Sequence, residues 1–219
     1  MENNKLITRS LHTASDLRVR EMEGQDSRVI TGYAILFDSP SAPLWETSDE
    51  VVREVISKDA VTIDLLNSSD IKMTMFHDRQ LILARSNNGS GTLSYGIDDK
   101  GVYFEFEAPR TADGDKALEL VKRGDIAGCS FAFTTYYFDK GYVTRTVEYI
   151  DGKANITHKV DVITGIYDFT LAADPAYPDT SCELRELLTS KEEVIGVKDN
   201  EIMREQVAEM RRVAAQKIY

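Results

Sequence analysis

Breaking an amide bond without a metal takes a nucleophile, a base beside it and a group that orients the base. The stretch RGDIAGCSFAF, Arg123 to Phe133, offers two nucleophiles side by side, Cys129 and Ser130. Neighbouring side chains of a strand point to opposite faces. Cys129, Phe131 and Phe133 then share one face, and Ser130, Ala132 and Thr134 the other. Two phenyl rings mark the first face as core, where a free cysteine packs as a small hydrophobe. If either residue of the pair is a nucleophile, strand geometry selects Ser130.

A serine hydroxyl is a weak nucleophile without a base. The chain has three histidines, His12, His77 and His158. His77, in MTMFHDR, ends a strand and shares a face with Ile71, Met73 and Met75. Such a residue sits at the rim of a core, and on pattern alone it reads as structural. His158, in NITHKVD, falls in a polar segment and is expected to be exposed. His12 belongs to the N-terminal end. For the orienting carboxylate, Asp168 stands in an apolar strand, GIYDFTLAADPAY. It must be paired there, or the strand is an edge with Asp168 in water. Asp78 and Asp174 are further candidates, and spacing does not choose among them.

These groups need a scaffold. The sequence has 219 residues, enough for one full core, with 42% hydrophobic and 29% charged residues, as in an ordinary globular chain. Leu17–Met22 and Arg28–Phe37 read as a hairpin, followed by a Pro- and Ser-containing loop and the strand EVVREVI. A helix is expected behind Ser57 or Asp59, with Val61, Leu65 and Leu66 on one face. IKMTMFHD, GTLSYGID and GVYFEFEA are strand-like, the last two joined by DDKG. DGDKALELVKRGD is the clearest helix, with Asp113 as cap and Gly124 just past its end. AGCSFAFTTYYF, YVTRTVEYI and DVITGIYDFTLAA complete the strands. The expected fold is α+β: a strongly bent, mostly antiparallel sheet or small barrel flanked by helices.

Composition narrows the function classes. A formal net charge of −11, with no basic stripe, argues against a nucleic-acid partner. No run approaches the 18 apolar residues of a membrane span, so no membrane partner is expected. Cys129 and Cys182 lack C-x-x-C spacing and there is no H-x-x-x-H pair, so neither metal nor cofactor is expected. The polar start MENNKLITRSLH has no leader-like apolar run.

GYAILF, MFHD, GVYFEFEAP, VKRGDIAGCSFAF and IYDFTLAADPAYPDTS occur in that order. The set resembles the tailed-phage prohead maturation proteases, which carry a histidine motif, a later G-x-S-F-G-F motif and a strand ending in P-A-Y. Ala132 stands where that family usually has Gly, and Thr170 where it often has Ser. The resemblance implies a serine endopeptidase with His77, Ser130 and Asp168 as catalytic residues and a fold like that of the herpesvirus assemblins. Because the assemblins use a second histidine, His158 stays an alternative to Asp168. The implied substrates are scaffold, major capsid protein and the chain itself, and the implied place is the assembling procapsid in the host cytoplasm. Two rivals stand beside this reading. One is a cysteine peptidase using Cys129 with His77. The other is an inactive scaffold or capsid-assembly module, against which the presence of all three groups argues.

The pattern divides the chain into a protease domain, 1–182, and a charged linker with an amphipathic tail, 183–219. Met203, Val207, Met210, Ala214 and Ile218 recur at helical spacing. The helix needs a surface, either its own domain or another chain, which makes a homodimer or larger assembly an expected partner state. Truncation after Glu183 should leave a folded, active core, checked by circular dichroism and cleavage of a supplied substrate, while lowering incorporation into assembling shells. Unfolding, or normal incorporation, would instead make the tail an integral part of the domain.

Overall fold

Alternating apolar and polar residues, punctuated by Asp, Asn and Gly, write a β-rich chain. A computed structural model describes residues 5–10, 16–20 and 27–173. Its elements in chain order are β1 (Lys5–Ser10), β2 (Arg18–Val19), β3 (Val29–Leu36), β4 (Trp45–Glu46), β5 (Glu50–Ile56), a 3₁₀ turn (Lys58–Ala60), α1 (Ile63–Ser68), β6 (Asp70–Met75), β7 (Asp78–Asn87), β8 (Ser90–Gly91), β9 (Leu93–Ile97), β10 (Gly101–Glu107), α2 (Ala112–Arg123), β11 (Gly128–Thr135), β12 (Val143–Ile150), β13 (Lys153–Val160) and β14 (Gly165–Ala172). The tail, Cys182 and Asp174 lie outside the described residues.

Among the described residues the strands form three open sheets, not a closed barrel. The first runs β1-β11-β14-β6-β7-β8, the second β2-β3-β10-β9 and the third β12-β13-β5-β4. The expected small barrel is therefore corrected. The pairing is mostly antiparallel, as expected, while β14 pairs with β6, and β13 with β5, in parallel. The core between the first two sheets is aromatic. Phe104 of β10 and Phe169 of β14 lie with ring centroids 6.5 Å apart, and Phe131 stacks on Phe133 at 5.2 Å. All four rings are buried.

Turn and cap chemistry sets the element ends. Asp98 Oδ1 accepts from the N–H groups of Lys100 (2.8 Å) and Gly101 (3.0 Å), closing the β9–β10 hairpin. The cap of α2 is Thr111, not Asp113. Its side chain accepts from the Gly114 N–H, and Gly124 ends the helix at φ 79°. The first helix starts later than expected. A 3₁₀ turn takes Lys58–Ala60, and Thr62 caps α1 through the Leu65 N–H, so Val61 stands outside it.

Strands β1, β4, β7, β8 and β13 go beyond the sequence reading. β7 pairs with β6. β13 lies between β12 and β5, joined to β12 through Asp151–Gly152, both at positive φ. Asp-Gly is the strongest short hairpin signal, and it was there to be read. His158 is buried and not exposed, its ring packed edge-on against the buried Tyr137.

Phe104→Ala should lower stability by about 3–5 kcal/mol, since it opens a cavity between two sheets. Denaturant unfolding followed by fluorescence checks this, and a loss below about 1 kcal/mol would mean the ring is not a core contact.

Candidate active site

Three neighbouring strands of the first sheet bring the three residues together. β14 lies between β11, its antiparallel neighbour, and β6, its parallel one. Ser130 of β11 sits directly opposite Thr170 of β14, and Ala132 opposite Asp168. Directly opposed residues share a sheet face. Ser130, Ala132, Asp168 and Thr170 thus line one face, while Cys129 pairs with Leu171 and Phe131 with Phe169 on the other.

His77 reaches that polar face by a route the alternation pattern does not give. Met73 pairs with Phe169 and Met75 with Leu171, so the methionines face the aromatic core. His77 does not share their face. Met75 pairs with Asp78, leaving Phe76 and His77 as the two central residues of a tight hairpin. Both have φ 56°. Positive φ at both central positions is the signature of a type I′ turn, which Asn and Gly favour. Here Phe and His adopt it, at a strain of roughly 1–3 kcal/mol each. The turn carries the imidazole onto the face of Ser130.

The resulting geometry is a line of two hydrogen bonds. His77 Nδ1 is 2.8 Å from Asp168 Oδ1, and His77 Nε2 is 2.7 Å from Ser130 Oγ. An ionised carboxylate only accepts. The neutral ring therefore donates from Nδ1, and its Nε2 lone pair faces the serine hydroxyl. Asp168 is 5% exposed and Ser130 0%. A buried carboxylate is tolerable when it is hydrogen-bonded, which removes the alternative of an edge strand with Asp168 in water. β14 also carries an irregularity: Ala132 pairs with Asp168, but Phe133 pairs with Ile166. The bulge at Tyr167 turns Ile166 to the core side while Asp168 stays with Ser130.

The other candidates lie elsewhere. Asp78 is exposed and its Oδ1 accepts from the Gln80 N–H at 2.8 Å. His158 belongs to the third sheet, where its Nδ1 is 2.6 Å from the Tyr137 hydroxyl. It does not occupy the position beside His77 Nδ1, which Asp168 fills. Cys129 is fully buried among core side chains, with its thiol donating to the Ser130 carbonyl at 3.5 Å. Burial pushes that thiol up to about 12, so it holds almost no thiolate near neutrality. Of two further hydroxyls, both 0% exposed, Thr74 escaped the sequence reading and Thr170 entered it only as a family position. Their signal was a threonine between large apolar neighbours, in MTM and in FTL.

One imidazole thus lies between a buried carboxylate and a serine hydroxyl, with the thiol of Cys129 turned to the other face of the sheet. The chain belongs to the caudovirus prohead serine protease family, whose sequence model matches residues 15–194. Among solved structures, the bacteriophage T4 capsid assembly protease, gp21, matches at 12% sequence identity and a TM-score of 0.37, over 78% of this chain and 99% of that one. No curated protein matches.

Phe76 is 45% exposed, so replacing it removes little packing. Phe76→Asn should raise stability by about 0.5–1 kcal/mol, because Asn tolerates the left-handed conformation. A higher denaturation midpoint with an unchanged slope checks this, and a lower midpoint would show that the ring, not the turn, matters.

Proposed function

We propose that the chain is a serine endopeptidase of capsid maturation in which Ser130 is the nucleophile, His77 the general base and Asp168 the group that orients it. The observation that carries the reading is the pair of contacts from one imidazole, Nε2 to Ser130 Oγ and Nδ1 to Asp168 Oδ1. In the first step Ser130 Oγ bonds to the scissile carbonyl carbon as its proton moves to Nε2. The imidazolium is stabilised by Asp168, which stays ionised. The proton then passes to the leaving amine, the C–N bond breaks and an acyl-serine remains. Water, deprotonated by the same Nε2, releases the acid and restores the hydroxyl.

The substrates we infer are scaffold and major capsid protein, together with the chain itself. Family membership and the ordered motifs around His77, Ser130 and Asp168 support this. On this reading the enzyme acts inside the assembling procapsid. The cysteine-peptidase reading is disfavoured by the core-facing, neutral thiol of Cys129. Complete retention of the three interacting groups disfavours an inactive assembly module.

Ser130→Ala should abolish shortening of the capsid protein on co-expression and leave the fold intact. Cys129→Ala should keep most activity. Asp168→Asn should lower kcat by roughly 10³–10⁴, because the amide stabilises the wrong tautomer, whereas His158→Ala should change it by less than about tenfold. Gel shifts of the capsid subunit and steady-state kinetics check all four. Activity in Ser130→Ala, or a greater loss in His158→Ala than in Asp168→Asn, would overturn the assignment.

A further inference from the structure

We propose that Thr170 is the positioning residue for His77, its hydroxyl oxygen fixing the histidine backbone and so the reach of the ring to Asp168 and Ser130. This rests on the Ser130–His77–Asp168 reading above. The hairpin turn that holds His77 has two left-handed residues, and neither is the Asn, Asp or Gly that such a turn prefers. Something outside the turn must hold it. Besides the ring's own bond to Asp168, two contacts from the backbone of the turn to β14 do so. The Phe76 N–H donates to the Leu171 carbonyl at 3.1 Å. The His77 N–H donates to Thr170 Oγ1 at 2.9 Å. Only the second is made by a side chain, and it is made at the histidine itself.

Thr170 is placed for this by the sheet register. It lies opposite Ser130 on one side and Thr74 on the other, in the row next to Asp168. Thr74 Oγ1 donates to the same Thr170 oxygen at 2.9 Å. A hydroxyl oxygen has two acceptor sites, and Thr74 and His77 use both. One end of the arrangement is thus Thr74 on β6 just before the turn, and the other is the backbone of the turn. Thr170 bridges them from β14, the strand that also carries Asp168. The bridge ties the histidine to the strand whose carboxylate it must meet. Without the oxygen, the His77 N–H and the Thr74 hydroxyl would lose their partner in a buried place, and the turn could relax its strain by moving the ring. A displacement of about 1 Å in a reacting group can cost up to ~10²-fold in rate.

Thr170→Val keeps the shape and deletes the acceptor, while Thr170→Ser keeps the acceptor. Thr74→Val is the matched control. It removes one hydrogen bond from the same oxygen and leaves the His77 bond in place. In the full chain, with the co-encoded major capsid protein as substrate, Thr170→Val should lower kcat about 10–100-fold with KM within about threefold. Thr170→Ser should stay within about threefold of wild type, and Thr74→Val should lose less than about a tenth of what Thr170→Val loses on the same scale. The low-field proton resonance of the His77 Nδ1–H, assigned by its loss in His77→Gln, should weaken in Thr170→Val and persist in Thr74→Val. If valine overpacks and prevents folding, the comparison is made between Thr170→Ala and Thr170→Ser. Wild-type kcat in Thr170→Val or Thr170→Ala would overturn the proposal. So would equal losses in Thr170→Val and Thr74→Val in proportion to stability, which would mark both hydroxyls as core packing. Ser130→Ala run in parallel separates the two readings. Cleavage by that variant overturns the catalytic reading, while the resonance still reports whether Thr170 holds the ring.

Discussion

The hydrogen bond between His77 Nδ1 and Asp168 is the interaction on which the site depends, and it exists because β14 runs through the interior of the first sheet. A carboxylate on an interior strand cannot stay charged without a donor aimed at it. The same burial that makes Asp168 expensive alone makes its bond to imidazole strong, since water does not compete for it. Once Nδ1 is committed to Asp168, the tautomer of the neutral ring follows, and Nε2 is left to accept from the Ser130 hydroxyl. The neighbouring strands then only need the right register. β11 brings Ser130 level with Thr170, and β6 ends one turn away from the point where the imidazole is needed.

Two local departures from regular β structure make this register productive. The bulge at Tyr167 lets β14 satisfy the core with Ile166 and Phe169 while Asp168 points the other way. The left-handed pair Phe76–His77 turns the chain so that a residue following a core-facing strand ends on the opposite face. Both are positions where local preference is overridden by sheet pairing. Strain of this kind persists only where surrounding contacts over-determine it, and the hydrogen bonds from Phe76 and His77 to β14 are such contacts. The aromatic layer of Phe104, Phe131 and Phe169 behind the site supplies the rigidity against which the turn is held.

The opposite facing of Cys129 and Ser130 was legible because strict alternation holds over β11. Most strands and both helices were legible for the same reason, through period and turn residues. The face of His77 was not, because a type I′ turn made of Phe and His carries none of the Asn or Gly that announces one. Extrapolating the alternation past Met75 put the ring on the methionine side. β13 was missed through its polar composition, although Asp151–Gly152 marked the hairpin, and the error over His158 followed from it. A strand of mixed residues is buried or exposed according to its place in a sheet, and sheet order is a long-range property. The barrel expectation failed on the same ground, since closure depends on which edges meet.

The most direct measurement is covalent labelling of the full chain with a fluorophosphonate while it is cleaving capsid protein, with the adduct located by peptide mass spectrometry. A nucleophile activated by His77 requires one adduct, on Ser130, with cleavage lost in step with labelling and labelling absent from His77→Gln. An adduct on another residue, or full cleavage by protein carrying the Ser130 adduct, would contradict the mechanism.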